Sequence, residues 1–200
     1  MHRVKIESAL ALALLMLLHA GVAAAQARVF KVDSGGGSSV QFVSDAPLER
    51  FTGKTTKLSG TITVDPAHAE HGKADIEAEA GSIKTNVTLR DEHLASESWL
   101  DAKRYPEAHF VITKIVGAKA LKPNDLTEVT VHGRFTLHGV TRDVVAKTKI
   151  RFSPGSKPSL RVQSSFTVHL EDYQISIPKL VSLKVSSDVV VNVDIMAIPT

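Results

Sequence analysis

Apolar and polar residues alternate with a period of two along most of this chain, and this pattern limits its fold more than any other sequence feature. Residues 75–80 read DIEAEA, residues 131–137 read VHGRFTL, and residues 189–195 read VVVNVDI. In a β-strand, successive side chains point to opposite faces, so alternation is typical of strands with one dry face and one wet face. The pattern therefore predicts a mainly β protein.

Turn-forming residues separate these runs and divide the chain into about eight or nine strands. They lie at residues 35–37, 65–66, 71–72, 123–125, 138–139 and 153–156. Several strands reach ~10 residues, which span ~33 Å. Closure into a barrel removes the exposed edges that strands of this length would leave in an open sheet. We predict a single lipocalin-like antiparallel β-barrel of about eight strands, with a short helical segment near residues 87–102 where the alternation breaks.

The first 25 residues have the features of an export signal. Arg3 and Lys5 precede an apolar stretch over residues 9–18, and Ala23-Ala24-Ala25 fits a cleavage site, with residues 25–27 as a second option. The stretch is shorter than the ~20 residues that span a bilayer. We predict a signal peptide over residues 1–25, cleaved to leave a barrel domain over residues 26–200 in the periplasm, with full secretion left open.

Charge and cysteine content exclude several classes of function. Removal of Arg3, Lys5 and Glu7 with the signal changes 24 basic and 21 acidic residues to 22 and 20, a net charge of +2. A nucleic-acid binder needs a dense basic face, so we expect no nucleic-acid partner. The absence of cysteine excludes disulfides, thiolate metal sites and a cysteine nucleophile.

Histidine and serine patterns predict neither a metal site nor an enzyme. His68 and His71 lie in a predicted loop with too few converging ligands, and His132 and His138 lie ~20 Å apart along one extended strand. The chain contains no Gly-x-Ser-x-Gly nucleophile motif and no Gly-x-Gly-x-x-Gly coenzyme motif. We expect no metal and no cofactor, which directs attention to the interior of the barrel.

The predicted inward face combines phenylalanines with small residues. They are Phe42, Phe110, Phe135 and Phe166, with Gly133, Ala78, Ala80 and Ala146. An eight-stranded barrel has room either for its own side chains or for one slender ligand. Small inward residues favour a ligand cavity, while a barrel filled by bulky neighbours stays open as the alternative.

Residues 90–110, RDEHLASESWLDAKRYPEAHF, resemble a signature of the YceI-like polyisoprenoid-binding family. Residues 137–141, LHGVT, and the pair Asp172-Tyr173 are similar to two further elements of that family. The similarity extends over the whole mature chain. It implies a lipocalin-like periplasmic barrel that holds a long amphiphilic lipid, such as a polyisoprenoid or an isoprenoid quinone, as a non-catalytic carrier.

The predicted inward face and the resemblance together indicate which residues bind the lipid. Residues 90–101 are expected to form a lid or rim in which Arg90 pairs with Asp91. The predicted lining and rim residues are Phe42, Arg90, His93, Leu94, Trp99, Leu100, Phe110, Ile112, Phe135 and Phe166. A transient contact with a membrane or membrane protein, and a homodimer, remain open. The alternative functions are a stress-response or interaction module with a filled barrel and, more weakly, an enzyme that acts on a lipid in the cavity.

Overall fold

A computed structural model describes residues 26–200, which form ten β-strands and one α-helix. The predicted signal peptide, residues 1–25, lies outside the described residues. The strands are β1 (Arg28–Val32), β2 (Ser39–Asp45), β3 (Arg50–Thr55), β4 (Leu58–Val64), β5 (Lys73–Glu79), β6 (Glu107–Val116), β7 (Leu126–Leu137), β8 (Val140–Ser153), β9 (Ser159–His169) and β10 (Asp188–Pro199). The helix is α1 (Thr88–Ala95). None of the helices within residues 26–200 is both long enough and apolar enough to cross a membrane.

The strands form a closed antiparallel barrel, which confirms the predicted fold class. Neighbouring strands follow the order β1-β4-β5-β6-β7-β8-β9-β10, and the ring closes because β10 also pairs with β1. Strands β2 and β3 add no new positions to this ring, because β2 lies in line with β1 and β3 lies in line with β4. Residues 189–194 of β10 pair with β2, and residues 197–199 of β10 pair with β1. β1 and β2 therefore occupy one strand position of the barrel together. The ten strands therefore build the eight positions that were predicted.

A short break between β1 and β2 separates these two half-strands. Ser38 is fully buried there, and its hydroxyl donates a hydrogen bond to the Asp33 carbonyl oxygen (2.8 Å) and accepts one from the Met196 amide (3.0 Å). A single side chain thus satisfies one backbone group at the start of the break and one on the neighbouring strand β10. The triple glycine of the sequence lies in this break and forms a turn.

The helix is shorter than the predicted segment over residues 87–102. It ends at Ala95 because Ser96 takes an extended conformation (ψ 166°), and the chain then turns sharply through Asp101, whose φ is 43°. Hydrogen bonds from the Leu100 amide to the Leu94 carbonyl (3.1 Å) and from the Asp101 amide to the Ser96 carbonyl (2.8 Å) fold this segment back on the helix. Such non-helical bonds leave no signal in the spacing of apolar residues.

The two ends of the barrel differ in how their strands are connected. We call one end the floor; its connections are residues 65–72, 117–125 and 154–158. We call the other end the mouth; its connections are residues 46–49, 80–106, 138–139 and 170–187. The two longest connections of the barrel are both at the mouth, and α1 belongs to one of them.

Buried apolar side chains form two clusters along the barrel axis. The floor cluster includes Phe30, Leu160 and Ala197, which are at most 1% exposed. The second cluster occupies the middle and the mouth, and partly buried residues such as Phe42 and Trp99 pack against it. The barrel therefore has a buried apolar core at both levels, with partly buried aromatic side chains towards the mouth.

Candidate functional site

A cavity of about 220 Å³ extends along the barrel from the mouth towards the floor. Nearly all of its lining side chains are apolar, and they come from all strands of the barrel wall except β1 and from the mouth segments. Phe42 and Val185 line the cavity near the mouth, whereas Ala69 and Leu121 line it near the floor. An interior of this kind excludes water and favours an apolar ligand.

Two floor connections close the inner end of the cavity. The Ala69 amide donates a hydrogen bond to the Lys119 carbonyl oxygen, and the Leu121 amide donates one to the Pro66 carbonyl oxygen, both at 2.7 Å. These bonds hold the side chains of Ala69 (1% exposed) and Leu121 (4% exposed) across the barrel end. Because the two connections are tied together by backbone bonds, the floor is a fixed boundary of the cavity.

Three phenylalanines form the wall at mid-barrel. Phe166 lies 5.2 Å from Phe135 and 6.0 Å from Phe110 between ring centroids. Phe110 also covers Gly133, since a Cβ added at that glycine would lie 2.4 Å from the Phe110 ring. Gly133 belongs to the set of small inward residues that was predicted to favour a cavity, but it leaves no space itself because the Phe110 ring covers it. Ala78 and Ala80 of the same set do line the cavity.

The same arrangement recurs at the mouth with Phe42 and Gly53, which are directly paired across β2 and β3. A Cβ added at Gly53 would lie 2.1 Å from the Phe42 ring and 2.8 Å from Ile83. Phe42 also contacts Phe51 edge to face, with centroids 5.9 Å apart. The Phe42 ring therefore packs over Gly53 and forms part of the cavity wall near the mouth.

Eight of the ten predicted ligand-binding residues line the cavity. They are Phe42, Leu94, Trp99, Leu100, Phe110, Ile112, Phe135 and Phe166. Arg90 and His93 do not line it: Arg90 lies at the rim, and His93 is exposed on α1. The assignment of all ten residues to ligand binding remains a prediction.

Arg90 ties the helix to the β2–β3 hairpin. Its guanidinium donates to Glu49 Oε1 (2.6 Å) and to Thr85 Oγ1 (3.1 Å), and it lies 4.3 Å above the centre of the Phe51 ring. The prediction that Arg90 pairs with Asp91 was wrong, because consecutive residues of a helix point in different directions. Arg90 therefore fixes the rim of the cavity from outside.

Asp91 holds the segment that precedes the helix. Its carboxylate accepts hydrogen bonds from the Thr85 amide (2.7 Å) and the Thr85 hydroxyl (2.6 Å), and these bonds lower the pKa of Asp91 from its ordinary value. Thr85 is buried (6% exposed). The adjacent Lys84 pairs with Lys54 of β3 through backbone bonds in both directions (2.9 Å each). This segment therefore completes the wall where β3 lacks a neighbouring strand.

The three sequence elements that resembled the YceI-like family meet at the mouth. Tyr105 covers Gly139 and contacts the His138 ring at 5.0 Å. His138 Nδ1 donates to the carbonyl oxygen of Tyr173 (3.0 Å), since a carbonyl can only accept. His138 and Gly139 both have positive φ, as a two-residue hairpin turn of this type requires. These residues therefore shape the mouth.

Tyr173 places a hydroxyl in the apolar interior. It is 2% exposed, and its ring lies 5.7 Å from Phe135. Its hydroxyl has no hydrogen-bond partner within residues 26–200. Burial, followed by the charge of Asp172, raises the pKa of Tyr173 to about 12. The phenol is therefore neutral at any physiological pH.

The hydroxyl groups on the cavity wall are largely occupied by other bonds. Thr148 and Ser164 are hydrogen-bonded to each other (2.8 Å), and Ser44 accepts a bond from the Ser186 amide (2.9 Å). Thr55 is hydrogen-bonded to Ser82. Their polarity is thus satisfied within the protein, so the wall behaves as an apolar surface.

Several lining residues were missed by the sequence interpretation. Ile83, Phe51 and Val185 line the cavity, yet each lies in or beside an irregular mouth segment. Phe51 alternates with exposed neighbours in β3 and could have been found from that alternation. Ile83 and Val185 depend on the path of irregular backbone, which periodicity does not encode.

Two groups of titratable residues lie on the outside of the barrel. His68 Nδ1 is hydrogen-bonded to Asp65 Oδ2 (2.9 Å), which raises the pKa of His68 and lowers that of Asp65. Asp75, Glu77 and His109 bring their ligand-type atoms within 4.8 Å of one another on β5 and β6. Only the pairing of β5 with β6 reveals this second group, so the sequence interpretation missed it. His109 Nε2 and Asp75 Oδ1 are already hydrogen-bonded to each other (2.7 Å).

Comparison with known sequences identifies relatives across most of the chain. The profile of the YceI-like domain matches residues 30–197. A UPF0312 protein of Pseudomonas putida (strain W619) is 33% identical over 179 residues, which cover 86% of this chain and 88% of that protein. A UPF0312 protein of Pseudomonas savastanoi pv. phaseolicola (strain 1448A / Race 6) is 34% identical over 134 residues, 65% of this chain and 66% of that protein.

Comparison with solved structures identifies barrels of the same fold. BcnA of Burkholderia cenocepacia has a TM-score of 0.67 and 23% identity, covering 82% of this chain and 98% of its own. A polyisoprenoid-binding domain from Saccharophagus degradans has a TM-score of 0.67 and 19% identity, covering 88% and 100%. The YceI protein of Campylobacter jejuni has a TM-score of 0.64 and 24% identity, covering 74% and 84%. At these identities the likeness establishes the fold.

Proposed function

This chain belongs to the YceI-like family, and we propose that it is a periplasmic carrier that holds a long-chain amphiphilic lipid in its barrel cavity. The ligand class we propose is a polyisoprenoid, an isoprenoid quinone or a similar chain. The observation that carries the proposal is a continuous apolar cavity that is closed at the floor and bounded by partly buried aromatic rings at the mouth. The Saccharophagus degradans relative is described as polyisoprenoid-binding, which supports the same ligand class.

The dimensions of the cavity suit a slender chain. An apolar cavity of about 150 Å³ in another protein holds benzene, and the cavity of this barrel is about 220 Å³. A long isoprenoid exceeds this volume. Its end segment therefore enters the barrel while the rest extends past the mouth, or the rings of Phe42 and Trp99 move aside to lengthen the cavity.

Tail burial supplies the binding free energy in this proposal. Each CH₂ group transferred from water contributes ~0.8 kcal/mol, or roughly four-fold in affinity, before the cost of ordering the chain. Since the lining hydroxyls are bonded within the protein, the wall offers few polar anchors. The polar head of the lipid therefore stays at the mouth, where water can solvate it.

A chain-length series tests the proposal directly. Trp99 is the only tryptophan of the chain and lies on the cavity wall, so its fluorescence reports ligand entry. Prenyl alcohols of increasing length, from geraniol to solanesol, are titrated against the protein. We expect affinity to rise with length and then level off once the cavity is full. Equal affinity for short and long chains would refute binding of the tail inside the barrel.

Native mass spectrometry of protein isolated from its own periplasm decides between the carrier and a filled module. A co-purifying lipid supports the carrier, whereas protein that is empty in repeated preparations supports a stress-response or interaction module with a filled barrel. The mass of the same material tests export, since we propose a mature chain that begins near Gln26. Intact precursor in the cytoplasmic fraction would contradict export.

We propose that the protein binds its ligand without chemical change. The YceI-like fold is that of a binding domain, and the lining hydroxyls are engaged with one another or with backbone amides. Incubation of the protein with a bound prenyl quinone, followed by extraction and mass analysis, is expected to return the quinone unchanged. A product that forms in proportion to protein would instead establish the enzyme alternative.

A further inference from the structure

The most exposed large apolar side chains of the described residues are concentrated at the mouth. Leu180 is 97% exposed, Leu48 is 68% exposed and Leu89 is 61% exposed. They come from the 170–187 connection, the β2–β3 hairpin and α1, respectively. Exposed leucines in three separate segments of one rim are unusual, because soluble proteins rarely gather such residues without a binding partner.

Specific contacts bring these segments together. The Leu48 amide donates a hydrogen bond to the Leu183 carbonyl oxygen (2.9 Å), so the hairpin and the 170–187 connection touch. Arg90 and Glu49 form an ion pair (2.6 Å) that holds α1 against the same hairpin. Val185 of the connection lines the cavity. The three segments that carry the leucines therefore meet at the mouth end of the cavity.

The charge of residues 175–187 indicates the partner, because the two acids of the connection, Glu171 and Asp172, lie in the turn that precedes this stretch. Residues 179–184 read KLVSLK, so lysines flank Leu180 and Leu183, and residues 175–187 contain no acid. Neither Lys179 nor Lys184 forms an ion pair with any residue from 26 to 200. Leucines that enter the acyl region beside lysines that meet anionic headgroups are characteristic of membrane-surface binding.

We propose that the mouth docks on the surface of an anionic phospholipid bilayer through Leu180, Leu183 and their flanking lysines. This inference rests on the proposed lipid-carrier function, because docking places the cavity opening against the source of the ligand. A symmetric contact between two copies is disfavoured, since it would bring the lysines of each copy against those of the other. Docking lets a lipid chain move between bilayer and barrel without crossing water.

Vesicle co-sedimentation tests the docking. The vesicles contain phosphatidylethanolamine and phosphatidylglycerol in a three-to-one ratio, and a parallel set contains phosphatidylcholine alone. We expect the wild type to sediment with the anionic vesicles. The Leu180→Ser/Leu183→Ser variant is expected to bind at least ten-fold more weakly, and Lys179→Gln/Lys184→Gln is expected to lose roughly five-fold per lysine on anionic vesicles only.

Val145→Ser provides the matched control, because Val145 and Leu183 are both 57% exposed and Val145 lies on the β8 wall. The control is expected to bind vesicles as the wild type does, and equal urea midpoints verify that all variants are folded. Vesicle binding that is unchanged in the leucine variant, or wild type that does not sediment, would overturn the docking. A concentration-dependent dimer in sedimentation velocity that is lost in the leucine variant would overturn it in favour of a second copy.

Prenyl alcohol binding without vesicles, followed by Trp99 fluorescence, separates this proposal from the carrier function. Binding of the alcohol without binding of the vesicles would support the carrier function and refute the docking. Leucine-dependent binding of vesicles without binding of the alcohol would refute the carrier function and support the docking. We expect the leucine variant to keep its affinity for the alcohol in solution, because neither Leu180 nor Leu183 lines the cavity.

Discussion

The floor and the mouth of this barrel use the same strands and the same alternating pattern in opposite ways. At the floor, Phe30 and Leu160 are at most 1% exposed, and backbone hydrogen bonds tie two connections together. At the mouth, Phe42 and Trp99 are only partly buried, and the Arg90–Glu49 ion pair joins segments that are also linked by backbone bonds such as that from Leu48 to Leu183. The difference indicates that the floor supplies stability, whereas the mouth leaves part of its apolar surface available to a ligand.

Replacement of Phe30 is expected to have the largest effect. Phe30 is completely buried, packs edge to face against Phe152 at 6.4 Å and does not line the cavity. Phe30→Ala should lower the free energy of unfolding by about 3–5 kcal/mol, because it leaves a void among buried apolar side chains. Urea unfolding measures the loss.

Leu48→Ala is the corresponding change at the mouth, where the side chain is 68% exposed. It should alter the free energy of unfolding by no more than about 0.5 kcal/mol. Similar losses for Phe30→Ala and Leu48→Ala would remove the distinction between the two ends.

Substitution of Gly133 probes the boundary between the two regions. The added methyl group of Gly133→Ala would meet the Phe110 ring and push it towards the cavity. We expect unfolding free energy to fall by about 1–3 kcal/mol through overpacking, together with weaker binding of long prenyl alcohols. Gly35→Ala is the control, since its methyl would lie 3.5 Å from the nearest side-chain atom. A stable Gly133→Ala variant with unchanged binding would show that Phe110 can move without narrowing the cavity.

The regular part of this architecture could be predicted from the sequence, and the irregular part could not. Alternation placed Phe110, Phe135 and Phe166 on the inner face correctly, because the inward and outward positions of a strand follow from its period. It misjudged Gly133, since the ring that covers this glycine belongs to a neighbouring strand. The Arg90–Glu49 pair was missed because it joins two connections whose paths depend on tertiary contacts.

Trp99→Ala tests whether the mouth is a rim or a plug. Trp99 is partly buried in an irregular segment outside the strands, so we expect a loss of about 1–2 kcal/mol in unfolding free energy and faster ligand release. Stopped-flow displacement of a fluorescent prenyl analogue measures the release rate. Trp99→Phe should restore slow release because it retains an aromatic ring. A loss as large as that of Phe30→Ala, without any change in release, would identify Trp99 as a plug.

The smallest expected effect is a pH dependence at the mouth. The hydrogen bond from His169 to Asp188 (2.8 Å) raises the pKa of His169 from its ordinary value of 6.5. Because the folded-state pKa is the higher one, this contribution to stability is complete below about pH 6.5 and is lost as pH rises through the folded-state pKa. The urea unfolding midpoint of the wild type should therefore fall as pH rises above about 6.5, and His169→Gln should make this fall smaller.

His68→Gln offers the same comparison at the floor, where Asp65 raises the pKa of His68. His68 is exposed and His169 is partly exposed, and each is hydrogen-bonded to one carboxylate, so the two variants should show similar small changes. A larger change for His169→Gln would mean that protonation at the mouth also alters the packing of the 170–187 connection.

The pairing of β1 with β10 has a consequence for how the barrel forms. Phe30 lies opposite Pro199, so the ring closes through a contact between residues near the two ends of the described chain. The closing contact has a very large sequence separation, and the entropy of forming so long a loop must be overcome before the contact contributes. Folding is therefore expected to be slow. An open sheet should form first, and β1 should pair with β10 at the floor only late. In that intermediate, the strands that later enclose the ligand present their apolar face to the surroundings.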